Sequence, residues 1–96
     1  NDMLGLAALQ MARIEGVDVP RDLSVVGMDD LFSAESASPA LTSVSKHRFE
    51  VGVQAAKNLL SQIESHSSAA SELVNEIVEC TLVIRESSGP ITKCES

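Results

Sequence analysis

The sequence predicts an α/β fold in which helices pack on a largely parallel sheet. The chain has 96 residues, and 44% of them are hydrophobic, yet aromatic residues supply only 2%. A core of this composition is aliphatic, as is typical of helices packed on such a sheet. Helix and strand patterns also alternate along the chain, and one β-prone run is apolar at consecutive positions. That pattern indicates a strand covered on both faces.

The first predicted element is a helix from about Asp2 to Glu15. Asn1 or Asp2 can cap it, because their side-chain oxygens accept the free N–H groups of the first turn. Gly16 suits the left-handed conformation that ends a helix, and Pro20 bars its continuation. Apolar residues recur at helical spacing and predict its buried face: Leu4, Ala7, Ala8, Met11 and Ile14.

Two strands and a second helix are predicted to follow. The run Leu23–Met28 is a strand that stops at Asp29-Asp30, and residues 31–39 are a loop with room for one helical turn. Leu41–Val44 is the next strand, and Arg48–Glu64 is a longer helix. The pattern predicts a buried stripe on this helix: Val51, Ala55, Leu59, Leu60 and Ile63.

The C-terminal third is predicted to be mostly extended. Residues 66–71 form a linker rich in Ser and Ala, and Leu73–Val78 and Leu82–Ile84 are β-prone. A polar tail begins at Ser87.

Charge and cysteine content restrict the function. The net charge of −7 leaves no basic face to replace the counterions of DNA, so direct nucleic-acid binding by these residues is not expected. Cys80 and Cys94 are expected to be free thiols in a reducing compartment. Neither a signal-peptide pattern nor an apolar run of membrane-spanning length is present in the sequence. Because the chain starts at Asn1 without an initiator Met, we expect a longer protein upstream.

Four segments carry a resemblance to a known family. They are Asn1–Leu9, Val19–Asp30, Pro39–Val44 and Leu82–Ser88, joined by a helix with Gly52, Ala55-Ala56 and Leu59-Leu60. In this order and spacing they resemble the lactose-repressor (LacI/GalR) family over about residues 1–90. No single segment is sufficient to indicate the family, but the four segments in this order and spacing are highly specific for it.

The resemblance implies a periplasmic-binding-protein-like core, a Rossmann-like parallel sheet with flanking helices, of which this chain is an incomplete part. Residues 1–45 and 76–88 would belong to the C-terminal subdomain, residues 46–75 to the N-terminal subdomain, and residues 91–96 to a tail. The implied function is the ligand-sensing and dimerisation part of a cytoplasmic DNA-binding regulator that binds a sugar or similar effector. DNA would be bound only by an N-terminal domain outside this sequence. The alternative is a periplasmic-type sugar-binding protein of a transport or sensing system.

The resemblance also implies site residues. Asn1 and Asp29 match family positions that contact the ligand at strand ends, where open α/β sheets bind ligands. Their amide and carboxylate groups suit sugar hydroxyls. Met3, Leu6 and Gln10, off the main predicted buried stripe, are expected at a homodimer interface.

Two departures from the family concern the hinge region and the pocket wall, respectively. Ser45-Lys46-His47 replaces the Arg-Gln-Pro of many members, and Met28 replaces an aromatic residue.

Catalysis and metal binding are not expected. Asp29 and Asp30 are adjacent, so their carboxylates should point to opposite faces and not share a substrate. His47 and His66 lack a partner at metal-ligand spacing, and His47 is expected in the turn before the second long helix. No cofactor is expected. Arg85 could pair with a buried acid, reach the interface between the lobes or form a plain surface ion pair.

Overall fold

The computed structural model describes residues 1–65 and 75–91, in which a small mixed sheet is covered on one face by the first two of three helices. The elements in chain order are α1 Asp2–Ile14, β1 Val26–Met28, α2 Phe32–Ser36, β2 Thr42–Ser45, α3 Arg48–Glu64 and β3 Thr81–Val83. The strand order is β1-β2-β3. Strands β1 and β2 are parallel, with Gly27 opposite Ser43, and β3 runs antiparallel to β2. The parallel pair was predicted from the sequence, whereas the antiparallel edge was not.

The predicted helix boundaries are confirmed within one residue. Asn1 caps α1, since its Oδ1 accepts a hydrogen bond from the Leu4 N–H at 3.0 Å. Gly16 follows α1 with a φ of 71°, as expected for a residue that ends a helix. The loop after β1 contains the single helical turn of α2. The predicted strand Leu73–Val78 is wrong over residues 75–78, which form no regular structure; its first two residues and the predicted linker 66–71 lie outside the described residues.

The buried face of α1 differs from the predicted one. Leu4, Met11 and Ile14 are exposed, Leu4 by 71%, as are Ala7 and Ala8. The residues that α1 buries are Asp2, Gly5, Leu9 and Ala12. The prediction failed because it took one apolar stripe at helical spacing, whereas Leu6 and Leu9 lie on a different face of the helix. The orientation of α1 depends instead on how closely its backbone approaches β1.

Two glycines allow this close approach. A Cβ atom on Gly27 of β1 would overlap Asp2 Oδ1 and lie 2.9 Å from Leu41 Cδ2 and 3.2 Å from Asp2 Cα. A Cβ on Gly5 of α1 would lie 2.9 Å from the same Leu41 methyl group. The absence of both side chains therefore lets the first turns of α1 lie directly on β1, with Leu41 wedged beside them.

The buried core is small and aliphatic, as the composition predicts. Leu9, Val25, Ala34 and Leu41 form one buried cluster, and the half-buried Leu6 and Val19 pack against it. The cluster joins the two helices α1 and α2 to the residues that immediately precede β1 and β2. The cluster covers only one face of β1. On the other face, the side chains of Val26 and Met28 are exposed. The prediction that this strand is covered on both faces is therefore wrong for the described residues.

Helix α3 has the predicted length but not the predicted burial. None of its side chains is buried, and the predicted stripe of Val51, Ala55, Leu59, Leu60 and Ile63 is exposed. The radius of gyration is 19.7 Å, against roughly 12 Å for a compact domain of this length. The stripe is exposed because the sheet and its core lie against α1 and α2, and the described residues provide no second layer for α3.

The segment after β3 is part of the core rather than a polar tail. Ser87 is fully buried. Its hydroxyl donates to the Val25 carbonyl at 2.6 Å and accepts from the Thr42 N–H at 2.8 Å, while its carbonyl accepts from the Val25 N–H at 2.8 Å. Ser87 thus joins the residues that lead into β1 and β2. The prediction of a tail from Ser87 is wrong, because it treated a small polar residue as solvent-exposed.

The glycine contact gives a stability prediction. We expect Gly27→Ala to lower the free energy of unfolding of the complete gene product by about 2 kcal/mol, because the added methyl group overpacks the contact between α1 and β1. The matched control is Gly52→Ala in α3, where a Cβ meets nothing within 4 Å. That change should be neutral or stabilising by up to about 1 kcal/mol. Chemical unfolding of both variants checks this, and equal stability of the two would contradict it.

Candidate functional site

The candidate site is the turn Asp29–Leu31, which follows β1 at the carboxyl ends of the two parallel strands. Three consecutive backbone N–H groups of this turn have partners. The Asp29 N–H donates to the Val44 carbonyl at 2.9 Å, the Asp30 N–H to Ser43 Oγ at 3.0 Å, and the Leu31 N–H to Asp2 Oδ2 at 2.6 Å. The turn is therefore fixed against both β2 and the first turn of α1.

Asp2 is the centre of this arrangement. Its carboxylate is fully buried, and its second oxygen accepts a hydrogen bond from Ser43 Oγ at 2.6 Å. Ser43 in turn accepts from the Asp30 N–H, so one carboxylate and one hydroxyl hold two successive amides. A buried carboxylate is costly unless it is hydrogen-bonded, and Asp2 meets that condition on both oxygens. Of the two capping residues that the sequence offers, Asn1 caps α1, and Asp2 anchors the turn instead.

The backbone of the turn is unusual. Asp29 has a φ of 105° and Asp30 a φ of 54°, both in the positive region that L-residues seldom occupy. Such a conformation costs of order 1–3 kcal/mol per residue and persists only where the surroundings impose it. Here the three amide hydrogen bonds do so. The result is that two successive carboxylates leave the turn in different directions.

Asp30 points toward the C-terminal strand. Its Oδ1 lies 2.5 Å from an Arg85 nitrogen, and the other terminal nitrogen of Arg85 donates to the Leu41 carbonyl at 2.8 Å. Both side chains of the ion pair are mostly buried. Of the roles considered for Arg85, the structure supports pairing with an acid, here the partly buried Asp30. This pair ties the turn to the segment after β3 and neutralises Asp30.

Asp29 points away from Arg85 and remains reachable from solvent. Its side chain is 28% exposed, and its Oδ1 lies 3.2 Å from Lys46 Nζ. The Asp29 carboxylate thus forms an ion pair with the Lys46 ammonium. The two adjacent carboxylates therefore have separate partners.

Asn1 lies at the same end of the sheet, next to the anchored Asp2. Its Oδ1 is engaged in capping α1, and its side chain is exposed. The amide nitrogen of Asn1 is then the group that can donate to a ligand. His47 also lies at this end, where it precedes α3 as expected, with a φ of 50° and a 2.7 Å hydrogen bond between Nε2 and Thr81 Oγ1.

The three residues expected at a dimer interface lie in different environments. Met3 is 64% exposed and Gln10 is exposed, whereas Leu6 is half-buried against the core cluster. Leu6 and Gln10 also line a shallow groove between α1 and the loop after α2, closed at one end by a 2.7 Å hydrogen bond from Arg13 to the Ser38 carbonyl.

Sequence reasoning missed the anchoring roles of Asp2, Ser43 and Ser87. One signal was available: Asn1 and Asp2 are both capping residues, but a helix start uses only one, which leaves the other side chain for a different partner. A second signal was the pair of small hydroxyl residues, Thr42 and Ser43, between the apolar residues Leu41 and Val44. Neither signal identifies the partner, because Asp2 and Ser43 are 41 residues apart.

Comparison with known proteins places this geometry in a family. The model of the periplasmic binding protein-like domain matches residues 1–88. The chain belongs to this family. Its turn after β1 thus lies at the strand ends of a periplasmic binding protein-like fold.

Curated relatives and solved structures agree with this assignment. The chain is 35% identical over 89 residues to the HTH-type transcriptional repressor CytR of Escherichia coli strain K12. This alignment covers 92% of the present chain and 25% of CytR. It is 39% identical over 87 residues to the HTH-type transcriptional regulator CelR of Thermobifida fusca, covering 91% of this chain and 25% of that protein. The chain therefore spans about a quarter of the length of these relatives.

Two solved structures share the fold along nearly the whole chain. The complex of the transcriptional regulator CelR with cellobiose superposes with a TM-score of 0.81 at 39% identity and covers 92% of this chain and 26% of that one. A LacI family transcriptional regulator from Enterococcus faecium with bound ribose superposes with a TM-score of 0.83 at 27% identity and covers 96% and 33%.

Other features of the described residues are limited. No helix in residues 1–65 and 75–91 is long and apolar enough to cross a membrane. Within the same ranges, no three His, Cys, Asp or Glu side chains are grouped as a metal site would require. Cys80 is a free, exposed thiol, and Cys94 lies outside the described residues.

Proposed function

We propose that this chain is the effector-sensing part of a LacI-type transcriptional regulator and that it binds a sugar or a similar small molecule through Asp29 and Asn1. The observation that carries the proposal is the anchored turn, which holds a solvent-reachable carboxylate at the carboxyl ends of two parallel strands. Open α/β sheets bind their ligands at this edge. A carboxylate accepts hydrogen bonds from two hydroxyl groups, and the Asn1 amide adds a donor.

The relatives favour a regulator over a transport or sensing protein of the periplasm. CytR and CelR are named as HTH-type regulators, and the two structural neighbours are regulators with cellobiose and ribose bound. A regulator that binds DNA works in the cytoplasm. The net charge of −7 assigns any DNA contact to a different part of the protein. We assign no catalytic role to the chain.

The division into two subdomains is part of the same proposal. Residues 1–45 and 76–88 would form one lobe, residues 46–75 would belong to the other, and residues 91–96 would be a tail. The contacts support this division, because α1 packs on β1 and β1 and β2 pair with each other, whereas α3 buries no side chain. The exposed stripe of α3 would then pack within the second lobe.

The ligand-binding role of Asp29 is tested by Asp29→Asn. Asparagine tolerates a positive φ, so the turn should keep its conformation while the carboxylate is lost. We expect the affinity for the tightest of ribose, glucose and cellobiose to fall by about 10- to 100-fold, the equivalent of one or two hydrogen bonds to a charged group. Isothermal titration of the complete gene product measures this change.

The control is Asp18→Asn, an exposed aspartate between α1 and β1 whose carboxylate is remote from the turn. It carries the same change in charge and should leave the affinity within twofold of the wild type. If Asp29→Asn binds the sugar as tightly as this control, Asp29 is not a ligand contact. If the wild type binds none of the three sugars, the assignment to sugar sensing is wrong.

We also propose that the protein is a homodimer through the face of α1 that carries Met3, Leu6 and Gln10. Met3 presents an apolar side chain to solvent. The groove lined by Leu6 and Gln10 is a concave surface into which a side chain of a second copy can pack. The part of Leu6 left uncovered by the core would lie at the centre of the contact, with Met3 and Gln10 on either side.

The dimer proposal is tested by Met3→Glu. A carboxylate on an apolar contact would have to be desolvated, so we expect the dimer dissociation constant to rise at least about tenfold. Analytical ultracentrifugation of the complete gene product measures it. Lys57→Gln on the exposed surface of α3 changes the net charge by the same amount and should leave the dimer intact. A wild-type protein that is monomeric at high concentration would contradict the proposal.

A further inference from the structure

The charges at the carboxyl ends of β1 and β2 are balanced in two pairs. Arg85 neutralises Asp30 in a contact that is mostly buried, and Lys46 lies 3.2 Å from the exposed side of Asp29. Asp2 adds a third carboxylate, which is fully buried and occupied by Ser43 and Leu31. Among the described residues, Asp29 and Lys46 thus form a charged pair at this edge that a ligand can reach, and the pair has no net charge.

The position of Lys46 follows from the strand register. Met28 is opposite Val44, and the Asp29 N–H donates to the Val44 carbonyl. Lys46 follows Val44 by two residues, immediately after β2 ends at Ser45. Parallel pairing thus brings Lys46 beside Asp29 by backbone geometry, and both residues leave the sheet at the same edge.

The Asp29–Lys46 pair contributes little to the stability of the fold. Lys46 is 48% exposed, and ion pairs with this exposure contribute about 0–1 kcal/mol. A ligand can therefore share or displace the contact at small cost, in contrast to the buried Asp30–Arg85 pair. The ammonium of Lys46 has three N–H donors, and Asp29 occupies one side of it.

From these observations we propose that Lys46 is a specificity-determining residue of the effector site, which balances the charge of Asp29 and so limits how strongly the site discriminates against acidic sugars. The proposal rests on the sugar-sensing function argued above. One hydroxyl group donates to Asp29, and a neighbouring ligand oxygen accepts from Lys46. Because the pair is neutral, an acidic sugar gains no net attraction and an amino sugar gains none either. Without Lys46, the charge of Asp29 would disfavour acids.

The experiment compares neutral sugars with acids of the same ring structure. Isothermal titration of the complete gene product gives the dissociation constants for glucose and glucuronate and for cellobiose and cellobiouronate. The quantity of interest is the dissociation constant of the acid divided by that of the neutral sugar. We expect the wild type to bind the neutral member of a pair more tightly.

Four variants then test the charge balance. Lys46→Gln should raise the ratio about tenfold, because one uncompensated charge near the ligand acts at an effective dielectric near 20. Asp29→Asn should lower the ratio about tenfold. The double variant, neutral at both positions, should return the ratio to within about threefold of the wild type. Lys46→Arg keeps the positive charge and should leave the ratio close to that of the wild type.

Lys57→Gln on α3 is the matched control for the change in total charge and should leave the ratio unchanged. If the wild type binds a neutral sugar but Lys46→Gln leaves the ratio within twofold, the role of Lys46 is wrong and the proposed function stands. An acid that binds the wild type more tightly than its neutral partner also overturns the role of Lys46. If the wild type binds no member of either pair, the role of Lys46 is wrong, and if it binds no ribose either, the proposed function fails with it.

Discussion

The buried carboxylate of Asp2 is the interaction on which the rest of the structure depends. It accepts hydrogen bonds from Ser43 in β2 and from the Leu31 N–H after β1, and it belongs to the first turn of α1. One side chain therefore joins a helix, a strand and a turn. The space it needs exists only because Gly27 has no side chain, so the sequence of β1 and the start of α1 are matched to each other. Removing the carboxylate would leave buried donors without a partner, which costs more than the bond itself contributes.

This anchor determines what the neighbouring acidic residues can do. Because Asp2 and Ser43 hold the amides of Asp30 and Leu31, the turn keeps positive φ values that separate the two carboxylates. Asp30 turns inward to Arg85 and becomes structural, whereas Asp29 stays near the surface beside Lys46. A single buried group thus divides three aspartates into an anchor, a structural ion pair and a candidate ligand contact, and the function argued for the chain depends on that division.

The helices were predictable because their ends are encoded locally. Asn1 caps α1, Gly16 follows it, and α3 has the predicted bounds of Arg48–Glu64. The buried faces were not predictable, since they depend on contacts between distant residues. Leu4 and Met11 are larger than Gly5 and Ala12, yet the small residues face β1. Within the candidate site, Asp29 was proposed as a ligand contact through the family resemblance. The roles of Asp2 and Ser87 could not be predicted, because they depend on partners 41 and 45 residues away. No local pattern reports such partners.

Hydrogen exchange at the turn tests the central claim most directly. In the complete gene product, NMR should show that Asp2→Ala speeds exchange of the Asp30 and Leu31 amides at least about tenfold, while the amides within α3 keep their protection. Asp2→Asn keeps the shape and an acceptor oxygen, so it should have a smaller effect, and Asp18→Ala should have none. Unchanged exchange at Leu31 in Asp2→Ala would show that the turn is held by other contacts and would contradict the account.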